Sequence, residues 1–443
     1  MADVYLDHNA TTPLDPRVRE AMLPWLGDRH GNPSSIHRFG QAARNAVEEA
    51  RERVAALIGG RPPEVVFTAS GTEANNTVVA SAVEQARARC GGHLVISAME
   101  HPSVRQAAAR AERSGCEVTR VPPGEDGVVA AAAMIAALRA DTSLACLMLA
   151  NNEVGTLQPV AELAAACRAR GIPLLCDAVQ AVGKVPVDAV RLGADYLVLG
   201  AHKFGGPLGA AALWVRDGAA VEGLLVGGAQ ERRRRAGTEN VPAIVGLGEA
   251  AALALAEVGT AEGEIERGRV AGEGPADSGQ ADGGPAGGAR TMHLRALRDR
   301  FEAGLAAIPH AAIHCLAAPR LPNTSHVAFA GVEGEALLIR LDLAGFAVST
   351  GSACSSGTVE PSQTLLAMGL TAADALSSIR VSFGPANRAA EVDLFLAVLE
   401  REVSELRRLI GDVGGVGDAG GAGGAASRAP AARLPALSTV DAA

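Results

Sequence analysis

Residues 194–209 read ADYLVLGAHKFGGPLG, and the stretch changes character along its length in a way that points to one fold class. Tyr196-Leu197-Val198-Leu199 is a short apolar run bounded by polar residues, the pattern of a fully buried strand. His202 and Lys203 follow at its C-terminal end, where open α/β sheets gather their ligands. Gly205, Gly206, Pro207 and Gly209 then impose a tight loop that lets backbone come close to a ligand. The chain carries 40 Lys and Arg residues, and only Lys184 and Lys203 among them are lysines. Where arginine serves as the generic cation, a lysine kept at a strand end marks a place that needs an amine. A lysine amine can be desolvated, deprotonated and used as a nucleophile or Schiff-base partner, which a guanidinium cannot. Lys184, in the polar turn VGKVPVD, reads as a solvated surface charge.

Working outward, the chain alternates strand and helix patterns. EVVFTAS (64–70), HLVISAM (93–99), EVTRV (117–121), SLACLMLANN (143–152) and PLLCDAVQ (173–180) read as strands. Between them GTEANNTVVASAVEQARAR (71–89), SVRQAAARAERSG (103–115), AAAMIAALRA (131–140) and VAELAAACRARG (160–171) have helical spacing. Such alternation predicts βαβ units, an α/β fold with a mostly parallel sheet, and helices on both faces. Upstream lie a short strand at Val4–Leu6 and an amphipathic helix from Gln41 to Ile58. Between them HGNPSSIHRFG (30–40) reads as a loop, with His30 and His37 as surface residues at no metal-ligand spacing.

The polar residues at the predicted strand ends are few. Ser70-Gly71-Thr72 opens a helix, which makes it either a phosphate cradle of free N–H groups or a plain N-cap. Asp177 ends an apolar strand and is a costly buried carboxylate unless a cation pairs with it. That cation is either a pyridinium nitrogen or a structural salt-bridge partner. His101 reads as a ring-stacking or proton-moving group, or as a satisfied polar residue. Asn152 and Gln180 complete the set, and with a Schiff-base lysine it describes one cofactor, pyridoxal 5′-phosphate.

Composition narrows the remaining classes. A net charge of −9 and a pI near 5.7 argue against nucleic acid or a membrane surface as partner. No uninterrupted apolar run approaches the roughly 20 residues of a membrane span. The N-terminus lacks a basic region followed by an apolar segment, so no signal peptide and a cytoplasmic location are expected. Seven cysteines without a Cys-x-x-Cys pair favour reduced thiols. Six of them fall in helix or strand patterns, where a buried, inert thiol is expected. The seventh, Cys354, lies in STGSACSSG (349–357), a small-residue loop expected to be exposed and mobile.

YLDHNATTPLDP, GNPSSIHRFG, FTASGTEANN, EHPSV, NNEVGT, DAVQ, HKFGGP, QERRRRAGTEN, STGSACSSG and SIRVSFG occur in order between residues 5 and 384. In this the chain resembles the cysteine desulfurase family, the NifS/IscS-like, group-one branch of class-V aminotransferase-fold pyridoxal phosphate enzymes. The resemblance implies a fold-type-I transferase. Its large domain, 13–258, would hold a seven-stranded-type sheet; a smaller α+β domain, 1–12 and 290–410, would carry the cysteine loop. It further implies Lys203 as the Schiff-base lysine, His101 stacked on the ring, Asp177 at the ring nitrogen and Gln180 at the phenolic oxygen. Asn152 would contact cofactor and substrate; Gly71, Thr72 and His202 would hold the phosphate; Arg380 would clamp the substrate carboxylate. Thr238 would reach the phosphate of a neighbouring subunit, which implies a homodimer, and Cys354 would take sulfur from L-cysteine as a persulfide. A sulfur-acceptor or iron–sulfur scaffold protein is the implied partner.

Three features depart from the family pattern. Gly200 stands where a phosphate-binding serine is usual. Residues 262–290 read as a disordered low-complexity insertion, and 411–443 as a disordered tail. A pyridoxal phosphate aminotransferase or selenocysteine lyase would share the lysine, aspartate and arginine without needing the cysteine loop for sulfur transfer. A non-catalytic cofactor-binding scaffold is the alternative of a different class.

Overall fold

The computed structural model describes residues 3–87, 92–259, 288–350 and 360–414. Its strands in chain order are β1 (Val4–Tyr5), β2 (Val65–Thr68), β3 (His93–Ser97), β4 (Glu117–Val121), β5 (Thr142–Cys146), β6 (Leu174–Asp177), β7 (Tyr196–Gly200), β8 (Ala211–Val215), β9 (Ala311–Ile313), β10 (Thr324–Phe329), β11 (Phe346–Ala347) and β12 (Ser378–Ser382). Seven of them form one sheet in the order β2-β8-β7-β6-β5-β3-β4. Neighbours from β7 through β4 pair in parallel, and β8 runs antiparallel between β7 and β2. The α/β class with a mostly parallel sheet is as expected from the alternation. Central strands such as β3 and β7 are buried at every residue, which is why they read as unbroken apolar runs. The reversed strand β8 is equally buried, yet it follows the glycine-rich loop directly and carries no helix pattern of its own to announce it.

Crossover helices cover the sheet, among them Gly71–Arg87 after β2, Pro102–Arg113 after β3 and Val160–Ala169 after β5. The parallel strands therefore deliver their C-terminal ends to one edge. Helix Val241–Val258 is long and apolar enough to cross a membrane by composition alone, unlike anything expected from the sequence. In this fold it buries Ile244, Leu247, Ala251 and Ala254 in the main core and lies along helix Arg38–Leu57.

A second core gathers Leu6 with Leu294, Phe301, Phe329, Leu337, Phe383, Phe395 and Leu399. It is built on the antiparallel sheet β12-β10-β9 and on helices Ala289–Gly304 and Ala389–Gly414, with the Phe301 and Phe395 rings stacked 5.6 Å apart. β1 pairs in parallel with β11, so the N-terminal strand belongs to this body and not to the large sheet.

The insertion expected through Arg290 ends earlier. Arg290 is the second residue of helix Ala289–Gly304; it is buried, pairs with Glu257 and donates to the Gly183 carbonyl. Residues 260–287 lie outside the described residues, but their flanks meet: the Gly288 N–H donates to Val258 O at 2.8 Å. The tail expected from Gly411 likewise begins as the last turn of helix Ala389–Gly414.

Candidate active site

Lys203 closes a single 3-10 turn directly after β7. Its amine donates to the carbonyls of Asn9 and Ala10 at 2.7 and 2.8 Å, so the N-terminal segment lies across the strand end. Burial, with the Arg380 charge adding, lowers the Lys203 pKa to about 8; Asp7 and Asp177 work against the shift. A sizeable neutral fraction is therefore available near neutrality, which is what a nucleophilic amine requires.

Asp177 ends β6, pairs across the ladder with Val198 and is 5% exposed. Its Oδ2 accepts from Asn75 Nδ2 at 2.7 Å and its Oδ1 from the Val179 N–H at 3.0 Å. Both donors are neutral. Among the described residues no cation forms a salt bridge with this carboxylate, so the site calls for a positive charge and a pyridinium nitrogen fits the donor set.

Helix Gly71–Arg87 starts in the same cleft. Ser70 Oγ caps it by accepting from the Glu73 N–H at 3.1 Å, and the Glu73 carboxylate accepts from the Ala69 N–H at 2.9 Å just before the cap. The N–H groups of Gly71 and Thr72 keep no intrahelical acceptor and stand at the positive end of the helix dipole. The N-cap and the phosphate cradle, alternatives in the sequence, are thus compatible: the cap consumes a different N–H group.

His101 precedes helix Pro102–Arg113. Its Nδ1 accepts from the Ser103 N–H at 3.2 Å and meets Ser103 Oγ at 2.8 Å, which leaves Nε2 to carry the ring proton. Burial lowers its pKa despite the Asp177 charge. His202 is held by Thr11 Oγ1 at 3.1 Å, and burial together with Lys203 and Lys184 lowers its pKa to about 4, so its ring is neutral near pH 7.

Arg380, on β12, donates from one terminal nitrogen to Asp7 Oδ1 at 2.6 Å and from the other to Asn152 O at 3.0 Å. Its Nε has no partner among the described residues. Asp7 thus fixes the guanidinium from the N-terminal side, a role the sequence reading did not single out. Thr238 is exposed in the loop before helix Val241–Val258, remote in sequence from the cleft residues.

Cys354 lies outside the described residues, as do 351–359 with it. The flanks of that stretch are anchored at the site. On one side Ser349 exchanges backbone hydrogen bonds with Arg380; on the other, Ser362 and Thr364 donate to the buried carboxylate of Glu153. The five described cysteines, 116, 146, 167, 176 and 315, are free and buried, and burial raises every one of their thiol pKa values, to about 12 for Cys167 and Cys315. Cys116, just before β4, and Cys315, in a turn, lie outside the regular elements expected; they are buried all the same.

The expectation for Lys184 was wrong. Lys184 is not a solvated surface charge: it is 4% exposed, and its amine donates to Gln180 Oε1 at 2.6 Å and Asn9 Oδ1 at 2.8 Å. Asn9 was missed as well. Its backbone carbonyl accepts from both Gln180 Nε2 and Lys203 Nζ, and its side chain reaches Thr324, Asn323 and Asn152. The scarcity of lysine that singled out Lys203 applied equally to Lys184; a local polar context obscured it.

The chain matches the class-V aminotransferase model over residues 4–270 and 288–395, and it belongs to that family of pyridoxal phosphate enzymes. Several of its relatives are named as cysteine desulfurases. The cysteine desulfurase IscS of Dictyoglomus turgidum (strain DSM 6724 / Z-1310) is 41% identical over 408 residues, which covers 92% of this chain and 96% of that protein. A solved NifS-like protein superposes with a TM-score of 0.78 at 33% identity, covering 91% of this chain and 100% of the other. SspA in complex with cysteine gives a TM-score of 0.71 at 30% identity, over 87% and 99% of the two chains.

Proposed function

We propose that the protein is a cysteine desulfurase that holds pyridoxal 5′-phosphate on Lys203, releases alanine from L-cysteine and keeps the sulfur as a persulfide on Cys354. The observation that carries this reading is the pairing at adjacent strand ends of a buried carboxylate lacking a cation, Asp177, with a lysine whose pKa is lowered to about 8. When bound, pyridoxal phosphate supplies an electron sink for charge developing at the substrate α-carbon.

The chain's own residues do the rest. Asn75 and the Val179 N–H orient Asp177 to keep a negative charge beside the ring nitrogen. Gln180 donates to the phenolic oxygen. The N–H groups of Gly71 and Thr72, with the Thr72 hydroxyl and His202, hold the phosphate, and Thr238 from a second subunit completes that cradle in a homodimer. Arg380, steadied by Asp7, takes the substrate carboxylate on its remaining donors, beside Asn152. His101 presents its Nε2 face to the ring. Lys203 takes the α-proton. The Cys354 thiolate then bonds to the substrate sulfur as that sulfur's bond to the β-carbon breaks; the electron pair stays on carbon and is protonated. A downstream acceptor protein takes the sulfur from the persulfide.

Mass spectrometry after incubation with L-cysteine tests this reading: extra sulfur is expected on the Cys354 peptide and on none of the five buried thiols. Cys354→Ala should keep its colour and lose alanine production, whereas Lys203→Ala should lose both. Full alanine production by Cys354→Ala would favour an aminotransferase-type reaction and refute the assignment.

A further inference from the structure

The two lysines of the chain come together in space. Gly183, at φ +79°, packs its Cα so closely on Phe204 that an added Cβ would stand 2.3 Å from the Phe204 Cβ, and this contact sets Lys184 beside the segment that carries Lys203. On its outer side the Lys184 carbonyl accepts from Thr291 Oγ1 at 2.9 Å, which ties the turn to helix Ala289–Gly304.

The amine itself orients two amides. The Lys184 amine donates to Gln180 Oε1 and to Asn9 Oδ1, so the oxygen ends of both amides face it. The opposite ends agree. Gln180 Nε2 meets a backbone carbonyl, Asn9 O, at 2.9 Å, and Asn9 Nδ2 meets Asn152 O at 3.3 Å and Thr324 Oγ1 at 2.9 Å. The backbone carbonyls at the nitrogen ends require the orientation observed, and Lys184 donates to both oxygen ends, joined at Asn9 Oδ1 by Asn323 Nδ2 at 3.1 Å. The second N–H of Gln180 Nε2 has no partner among the described residues.

We infer that Lys184 is a positioning residue that fixes the polarity of the Gln180 amide, turning its oxygen inward so that Gln180 faces the cofactor only as a donor. This rests on the reading that Gln180 meets the phenolic oxygen of pyridoxal phosphate, an acceptor that a flipped amide would repel. Without Lys184 the Gln180 carbonyl loses its partner, and only the Asn9 carbonyl at the nitrogen end is left to set the amide's orientation.

The test uses the visible absorbance of the holoenzyme, whose pH midpoint responds to hydrogen bonding at the phenolic oxygen. Lys203, His202, His8, Asp177, Asp7 and Arg380 are the titratable and charged groups around the cluster, and none is altered. A donor to the phenolate favours the deprotonated form, so its loss should raise the midpoint by about one pH unit. Lys184→Met, Gln180→Leu and the double variant form a cycle. If Lys184 acts through Gln180, each single variant raises the midpoint and the double variant matches Gln180→Leu. Shifts that add in the double variant, or a Lys184→Met midpoint equal to wild type, overturn the inference. Should Lys184→Met fail to take up cofactor, the same cycle with Lys184→Gln is read by the same criterion. A wild-type chain that develops no visible band with pyridoxal phosphate overturns both this inference and the proposed function.

Discussion

Replacing Glu100 by glutamine should make the protein more stable in alkaline solution and no more stable in acid. Glu100 lies just beyond β3 and is 2% exposed; its Oε1 accepts from the Met148 N–H at 2.8 Å, and its Oε2 has no partner among the described residues. Burial pushes its pKa up from 4.5 to about 8, opposed by the Met148 N–H and reinforced by the Asp177 charge. A carboxyl raised in this way contributes stability that is fully present below about pH 4.5 and is lost as pH climbs to about 8. At about 1.4 kcal/mol per unit, the gap is worth about 5 kcal/mol. Glutamine keeps the acceptor for Met148 and never ionises, but it adds N–H groups where Oε2 stood unpaired, at a cost of about 1–3 kcal/mol. The expected net gain above pH 8 is therefore about 2–4 kcal/mol, and below pH 5 the variant should be the weaker protein. Urea midpoints followed through the buried Trp214 from pH 5 to 9 provide the assay, and the difference between the two proteins cancels the titrating groups that do not interact with Glu100. A difference that stays flat with pH would show that Glu100 is not held protonated by burial.

Gly200→Ser should tighten pyridoxal phosphate binding. The backbone at φ −130°, ψ 123° accepts any residue, and an added Cβ would sit 3.6 Å from Val179 Cγ1 and 3.7 Å from the His202 ring, ordinary contacts that place a hydroxyl beside one of the expected phosphate ligands. A net gain of about 1 kcal/mol, some fivefold in the dissociation constant, is expected on cofactor titration, and faster loss on dialysis would count against the phosphate placement. Removing residues 262–285 leaves a four-residue link between flanks already joined by the Gly288–Val258 hydrogen bond. Uptake of cofactor and the thermal midpoint should both survive the deletion; an unfolded product would give the segment a structural role.

The large sheet was legible because its determinants are local. Each central strand is a short apolar run, each crossover helix has its own 3.6-residue spacing, and a strand end places its next polar residue at the carboxyl edge whatever lies elsewhere. Lys203, Asp177 and His101 could be read in that way without knowing their neighbours. The boundaries at Arg290 and Gly411 were misjudged for a complementary reason. Glycine and alanine composition announces low complexity, but Arg290 is held by Glu257 and by the Gly183 carbonyl, contacts that no local pattern encodes.

The residues that orient the site were less legible than those placed to act in it, and Asn9 shows why. Its partners come from residues 143 to 373 positions away: Asn152, Gln180, Lys184, Lys203, Asn323, Thr324 and Ser382. A side chain of this kind has no periodicity and no capping pattern, and its burial exists only after β1 has paired with β11 and the N-terminal segment has been drawn across the end of β7. Lys184 takes its environment from the same event, so a turn that is polar in sequence becomes a buried amine in the fold. The order of dependence runs from the N-terminal strand to Asn9, from Asn9 and Lys184 to Gln180, and from there to the cleft. Asn9 also touches β10 and β12, so a displacement of the second core relative to the large sheet would reach Lys203 and Gln180 through one residue. Residues 7–12 are in this sense part of the candidate site: the Asp7 side chain bonds to Arg380, that of Asn9 to Thr324 and Asn152, and those of Thr11 and Thr12 to His202.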